Sequence, residues 1–223
     1  IDFNMCFNEY INSTDKNNTR IISDFNQELA LRNDYRGREI YELLQNAEDA
    51  GAEANAEVEV IIDYSDGIIS ITNIGGKPFS DEGFTSLLRA NQSSKTGKNL
   101  IGKKGLGFRS ILNWAKEIEI HSNNYKCTFS EEIAIEKWKK IQTTLESKIG
   151  KENTNSIANE MEKIAKENEI NCPIAILPLP RFERTHIPND YTTKITIKIK
   201  ENIEILDSIK DQLNSIDERG LLF

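Results

Sequence analysis

Two acids and an amide stand on one stripe of a segment with helical periodicity, Arg36 to Gly51. Glu42, Asn46 and Asp49 are spaced i, i+4 and i+7, which puts them on one face of a helix. A carboxylate can accept a proton from an attacking water, and an amide oxygen can bind magnesium. A solvated acidic helix face would look the same, so the interpretation depends on the residues that follow.

Apolar residues predict the frame of this helix. They recur at i, i+3, i+4 and i+7, as on a buried face: Ile40, Leu43, Leu44 and Ala47. Gly51 predicts the C-terminal end of the helix. Because the stripe itself carries only acids and an amide and no lysine or arginine, we expect it to be unpaired within the helix.

A glycine-rich loop, Gly102 to Gly107, precedes a helix predicted over residues 108–116. Glycines allow the backbone to approach an anion, and the free N–H groups of a helix start bind phosphate. Lys103 and Lys104 add positive charge, although a flexible basic loop would have the same composition. The segment is a poor P-loop, because Lys104 stands where the magnesium-binding Ser or Thr is required. It also lacks the third glycine of a dinucleotide fingerprint.

Two hairpins and a late strand predict the sheet around these motifs. The segments 58–63 and 68–73 flank an Asp-Gly turn, and Asn73 then precedes Gly75 and Gly76, which leaves a polar side chain above an open backbone. The remaining predicted strands are 117–122, 125–130 and 192–200, the last with one solvated face. Predicted helices cover 19–32, 80–90 and 203–216, two exposed helices broken near Gly150 cover 131–168, and an apolar edge segment covers 173–180.

The composition is that of a globular protein. The chain has 223 residues and a net charge of -8, with a pI of about 5.0, which argues against a nucleic-acid surface. No run of about 18 apolar residues or signal peptide is visible, so we expect no membrane association. Scattered cysteines indicate a reducing cytoplasm and no zinc site, and we interpret His121 and His186 as ordinary surface or edge residues. The ends, Ile1 and Phe223, suggest a segment of a longer protein.

Four ordered motifs resemble the GHKL ATPases, the superfamily of gyrase, MutL, histidine kinases and the ninety-kilodalton chaperones, and within it the sacsin-like branch. The motifs are ELLQNAEDA (42–50), ITNIGGKPF (71–79), IGKKGLGFRS (101–110) and TTKITIKIK (192–200). The resemblance covers residues 36–200. It implies an α+β fold, a two-layer α/β sandwich of the Bergerat type, with a mixed, mostly antiparallel sheet, helices on one face and ATP beneath a lid.

The resemblance also implies roles for single residues. Glu42 would be the general base, Asn46 the Mg²⁺ ligand, and Asp49 a support for the lid or the ribose. Asn73 and Thr193 would hold adenine, with Gly75 and Gly76 admitting the base. The lid would contain Ser93, Ser94 and Lys95, and the phosphates would meet Lys103, Lys104, Gly105, Leu106, Gly107 and Phe108. Two residues depart from the family pattern: Asn73 replaces an aspartate, and Thr192 replaces a glycine, which is expected to crowd the base pocket.

These motifs predict one ATP-binding domain over residues 1–223, at the N-terminal part of a larger cytoplasmic protein, with a solvated helical insertion at 131–168. Related ATPases complete their site with a lysine or arginine from a following domain and often by forming a homodimer. We therefore expect ATP and downstream domains as partners, and slow Mg²⁺-dependent hydrolysis. Sacsin-like domains also suggest microbial antiviral defence. The alternatives are a histidine-kinase-like phosphotransfer domain, which Glu42 disfavours, and a non-catalytic nucleotide sensor.

Overall fold

The structure, a computed structural model, describes residues 4–15, 20–89 and 107–219, the side chains of residues 217–219 excepted. Its strands are β1 (Glu59–Ser65), β2 (Ile68–Ile74), β3 (Ala115–Ser122), β4 (Tyr125–Ser130), β5 (Arg181–Arg184) and β6 (Thr193–Ile199). Its helices are α1 (Met5–Ser13), α2 (Arg20–Asp34), α3 (Glu39–Ala54), α4 (Asp81–Leu88), α5 (Glu131–Ile149), α6 (Lys151–Glu167) and α7 (Ile203–Arg219), with a short 3₁₀ helix at Gly107–Asn113.

The described strands form one sheet in the order β1-β2-β6-β3-β4-β5. Every neighbouring pair is antiparallel, whereas a mixed sheet was expected. The physical reason lies in β6, which inserts between the two hairpins and runs antiparallel to both β2 and β3. The late strand of the sequence is therefore the centre of the sheet.

One face of the sheet is covered and the other is open to solvent. Along β6, Ile195 and Ile197 are buried, while Lys198 on the opposite face is exposed. The same alternation in β2 buries Ile69 and Ile71. The helices supply the remainder of the core on the covered face, so the predicted α+β class with a helical layer on an antiparallel sheet is confirmed.

The first hairpin forms as its turn chemistry predicts. Asp66 and Gly67 both have positive φ, at 51° and 74°, which is the conformation that a type I′ turn requires. Its strands pair from Glu59 with Ile74 to Ser65 with Ile68. This register directs Asn73 into the covered side of the sheet, where it is buried.

The predicted end of α3 is wrong. The helix continues beyond Gly51 and ends at Asn55, which adopts the left-handed conformation with φ 51° and ψ 46°. Gly51 is instead a close-approach position, because a Cβ there would lie 2.7 Å from Val58 Cγ2. The start of α3 is fixed by α7, since Gln212 accepts from the Ile40 N–H at 3.0 Å and donates to Glu39 Oε2 at 2.7 Å.

The helices α5 and α6 form where predicted, and Gly150 separates them with φ 85°. The expectation of two exposed helices is wrong, because one face of each contributes to the hydrophobic core. In α5 the buried side chains include Trp138 and Leu145, and in α6 they include Met161. The lysine and glutamate residues cover only the outer faces, so composition alone overstated the solvation of the pair.

Two further segments differ from their predictions. The helix predicted over residues 108–116 is shorter, because the 3₁₀ helix ends at Asn113 and β3 begins at Ala115. Residues 173–180 are buried but form no edge strand, since their three prolines cannot donate to a sheet ladder. The buried Glu28 carboxylate holds this segment by accepting from the N–H groups of Ile176 at 2.8 Å and Leu177 at 3.0 Å.

His121 is also not an ordinary surface residue. It is 9% exposed and lies in β3, where its Nδ1 is 2.6 Å from the Tyr191 hydroxyl. Its Nε2 lies 3.3 Å from the carbonyl oxygen of His186, which can only accept, so Nε2 is the donor of this hydrogen bond. This arrangement secures the chain before β6.

Candidate functional site

A cavity of about 340 Å³ lies among α3, α4 and the covered ends of β2 and β6. Four of the predicted site residues line it together: Asn46, Asn73, Phe108 and Thr193. Apolar walls come from Leu43, Leu87 and Ile195. A mostly apolar cavity with a few convergent polar groups is the usual form of a small-molecule site, so this is the candidate binding site of the chain.

Asn73 supplies a buried acceptor to the cavity. Its side chain is 9% exposed, and its Oδ1 has no hydrogen-bond partner among the described residues. A buried polar atom left unpaired costs about 1–3 kcal/mol, a cost that a donor on a ligand would offset. The backbone of Asn73 is fixed, because its carbonyl oxygen accepts from the Thr192 N–H at 2.8 Å.

Thr193 is the cross-strand neighbour of Asn73 and is 3% exposed. Its hydroxyl lies 2.7 Å from the hydroxyl of Ser122, the last residue of β3. Ser122 also accepts from the Phe79 N–H at 3.0 Å and donates to the Thr192 carbonyl oxygen at 3.0 Å. Sequence reasoning missed Ser122, although a hydroxyl after Ile118 and Ile120 on one strand face was a visible signal.

Glu42 lies against the end of the glycine-rich segment. A Cβ added at Gly107 would lie 1.9 Å from Glu42 Oε2, so only glycine allows this contact. Burial raises the pKa of the Glu42 carboxyl, and the nearby Arg38 guanidinium partly opposes the rise. The expectation of an unpaired stripe is wrong here, because Arg38, immediately before the helix, lies 3.6 Å from Glu42 Oε1.

Several predicted site residues do not line the cavity. Asp49 is half-buried on α3, away from the cavity lining. Gly75 and Gly76 have positive φ, and a Cβ would lie 2.6 Å from the Glu57 carbonyl oxygen or 2.9 Å from Val58 Cγ2, respectively. Glycine is therefore needed at both positions because the chain packs closely against the end of α3 and the residues that follow it. This packing, and not the approach of a base, accounts for the two glycines. Thr192 is also absent from the lining, so the expected crowding is not found.

The other predicted residues lie outside the described part of the chain. They are Ser93, Ser94, Lys95, Lys103, Lys104, Gly105 and Leu106.

An ion pair that sequence reasoning did not select lies at the cavity mouth. The ammonium of Lys77 is 3.9 Å from Glu53 Oε2, and both residues line the cavity. The Lys77 N–H donates to the Ala50 carbonyl oxygen at 2.9 Å, which ties this loop to the last turns of α3. Ala50 follows Glu42 by eight residues, so Lys77 lies at the opposite end of the helix, roughly 12 Å along its axis.

The described residues include no cluster of three or more His, Cys, Asp or Glu side chains that could hold a metal ion. Magnesium typically takes one or two protein ligands and completes its shell with phosphate oxygens and water. Asn46 lines the cavity and presents an amide oxygen of the right chemistry, and Glu42 is one helical turn away. The donor set therefore fits a magnesium ion carried by a polyphosphate.

Comparison with known proteins gives a partial match. No protein-family model matches the chain. The chain is 37% identical over 92 residues to Protein NO VEIN of Arabidopsis thaliana. The aligned segment covers 40% of this chain and 3% of the length of that protein. The chain thus matches only a small part of a much longer relative. Across the described residues, no helix has the length and apolar character needed to cross a bilayer.

Proposed function

We propose that this chain is an ATP-binding module of the GHKL superfamily with a Bergerat-type fold, similar to sacsin-like domains, that hydrolyses ATP slowly. The observation that carries the proposal is the cavity that gathers Asn46, Asn73 and Thr193, while Glu42, one helical turn before Asn46 and outside the lining, lies against Gly107. Four segments far apart in sequence contribute to this arrangement. If the acidic stripe on α3 were only a solvated helix face, Asn46 would not be expected to share a cavity with buried polar residues from β2 and β6.

The two ends of the cavity suit the two ends of a nucleotide. Asn73 and Thr193 offer buried polar groups to a base, and the apolar lining offers it a dry pocket. Glu42 and the start of the 3₁₀ helix meet beyond the lining residues Asn46 and Phe108, and we propose that the phosphates lie there.

In this proposal Glu42 accepts the proton of the attacking water. Burial raises the pKa of its carboxyl, which increases the affinity of this group for a proton. Asn46 would hold Mg²⁺, which when bound neutralises phosphate charge. The contact with Gly107 orients the Glu42 side chain toward the phosphate end.

Slow turnover has a physical basis in the charges near Glu42. The Arg38 guanidinium lies 3.6 Å from the Glu42 carboxylate, so it competes with the proton of the attacking water for this carboxylate. Among the described residues that line the cavity, the positively charged side chain is that of Lys77, and it lies at the end where the base would bind. Phosphoryl transfer depends on cations at the developing charge. We therefore expect downstream domains of the same polypeptide, or a homodimer, to provide that charge.

A nucleotide titration combined with a turnover assay tests the proposal. The chain should bind ATP in the presence of Mg²⁺ and release phosphate slowly. Glu42→Ala should reduce turnover at least 10-fold while changing the ATP Kd by less than about threefold. Glu162→Gln, on the exposed face of α6, is the matched control and should leave both unchanged. Absence of nucleotide binding would contradict the proposal.

The second candidate is a non-catalytic nucleotide sensor, which the Arg38–Glu42 ion pair favours. In that case ATP binds, but the wild-type and Glu42→Ala chains release phosphate at the same background rate. A function in antiviral defence rests on the sequence resemblance alone and is tested by loss of protection when the gene carries Glu42→Ala.

A further inference from the structure

We infer that Ser122 is a specificity-determining positioning residue, because it locks the Thr193 hydroxyl as an acceptor and so selects adenine over 6-oxo purines. This inference rests on the proposed nucleotide site. It concerns a residue outside the cavity lining, which acts through Thr193. It also bears on Asn73, whose amide by itself would not discriminate between these bases.

The three residues form a row across adjacent strands. Asn73 in β2 pairs with Thr193 in β6, and Thr193 pairs with Ser122 in β3. All three are buried and lie on the covered face of the sheet. Of these, Asn73 and Thr193 line the cavity, while Ser122 is 0% exposed behind them.

The hydrogen bonds of Ser122 determine the direction of each proton. The Thr192 carbonyl oxygen can only accept, so the Ser122 hydroxyl proton is donated to it at 3.0 Å. The Phe79 N–H can only donate, and it occupies one lone pair of Ser122. The 2.7 Å contact between the hydroxyls is then a donation from Thr193 to Ser122. With its proton engaged, Thr193 presents only lone pairs to the cavity.

The spacing of the acceptors suits one amino group. Cross-strand neighbours have Cβ atoms about 4.5–5.5 Å apart, which sets the separation of the Asn73 and Thr193 side chains. The two protons of a planar amino group point to acceptors roughly 5 Å apart when each hydrogen bond is about 2.9 Å long. The 6-amino group of adenine can therefore donate to Asn73 Oδ1 and Thr193 Oγ1 together.

Guanine and hypoxanthine carry a carbonyl oxygen at that position. The Asn73 amide can rotate by 180° and donate to this oxygen, so Asn73 alone tolerates both kinds of base. Thr193 cannot adapt in the same way, because rotating its proton into the cavity breaks its bond to Ser122. The carbonyl oxygen then faces the Thr193 lone pairs, and we expect ATP to bind at least 10-fold more tightly than ITP or GTP.

Ser122→Ala tests the lock. Without the serine oxygen, the Thr193 hydroxyl is free to turn, and it can donate to a carbonyl on the base. The expected result is that the preference for ATP over ITP, defined as the ITP Kd divided by the ATP Kd, falls from at least 10 to below about 3, chiefly because ITP binds more tightly. The measurement is calorimetric titration of the whole chain with ATP, ITP and GTP in the presence of Mg²⁺.

A matched pair at Thr193 keeps the test decisive if Ser122→Ala fails to fold. Thr193→Ser retains the hydroxyl and should retain the preference for ATP, whereas the nearly isosteric Thr193→Val should lose it. An unchanged ATP-over-ITP ratio in Ser122→Ala, or an equal loss of both affinities, overturns the inference while leaving the ATP site intact. Failure of the wild-type chain to bind any nucleotide overturns the proposed function itself, and the inference with it.

Discussion

Replacing Gly107 with alanine tests the contact between the end of the glycine-rich segment and the proposed base. An added Cβ would lie 1.9 Å from Glu42 Oε2 and 2.4 Å from its Cδ, with 2.7 Å to its Cγ. The φ angle of Gly107 lies outside the left-handed region, so the backbone itself tolerates alanine. The perturbation therefore acts on the Glu42 side chain.

The magnitude follows from the geometry. Real Cβ contacts are not shorter than 3.0 Å, so the carboxylate must move by about 1 Å. Because the clashing atoms belong to the flexible side chain of Glu42, which can rotate away, the free energy of unfolding should fall by at most about 1 kcal/mol. A displacement of about 1 Å in a catalytic group can reduce kcat by about 100-fold, while the ATP Kd should change little.

A double-mutant cycle with Glu42→Ala isolates the contact. The alanine side chain at position 42 lacks all three clashing atoms, so Gly107→Ala should cost less than about 0.5 kcal/mol in that background. Urea unfolding followed by circular dichroism measures the four free energies, and phosphate release measures kcat. An equal cost of Gly107→Ala in both backgrounds would refute the contact, and unchanged turnover in the single variant would refute its catalytic importance.

Three further predictions concern charge and packing. Burial raises the pKa of the Glu42 carboxyl in the folded state. The ionised carboxylate therefore destabilises the fold at pH values above that pKa, and this destabilisation disappears as the pH falls and the carboxyl is protonated. Glu42→Gln should therefore raise the melting temperature at pH 7, by an amount that shrinks as the pH falls through the folded pKa, and a constant difference would contradict the cause. In the wild-type chain, turnover should rise with pH through the same pKa. Leu145→Ala in α5 should lower the free energy of unfolding by about 2–5 kcal/mol in urea titration, whereas a cost below about 0.5 kcal/mol would mean that α5 is not part of the core.

Local patterns in the sequence predicted most elements, because each pattern is a direct consequence of local geometry. The alternation in residues 192–200 and the Asp-Gly turn at Asp66 predicted strands that the structure contains. The helix predicted from residue 80 begins there, because the Ser80 hydroxyl caps α4 by accepting from the Gly83 N–H at 3.1 Å. The order of the strands was not accessible in this way, because β6 finds its place between two earlier hairpins through long-range pairing.

The residues of the candidate site also fall into those that the sequence indicated and those that only the structure revealed. Residue type and spacing in the sequence selected Glu42, Asn46 and Asn73 as candidates, and the family resemblance added Thr193. Spacing along β3 placed Ser122 on the covered face of the sheet, but it could not show the contact with Thr193, which is 71 residues away in the chain.

For this protein, the sequence by itself determined the chemical groups available, the segments that would become helices and strands, and the helix face on which the acids stand. Only the tertiary structure decided which of those groups converge. Asn46 lines the cavity and Asp49 does not, although both lie on the same stripe of α3. Gly75 and Gly76 are required by packing against the end of α3. Such outcomes depend on distances between elements, which local spacing does not encode.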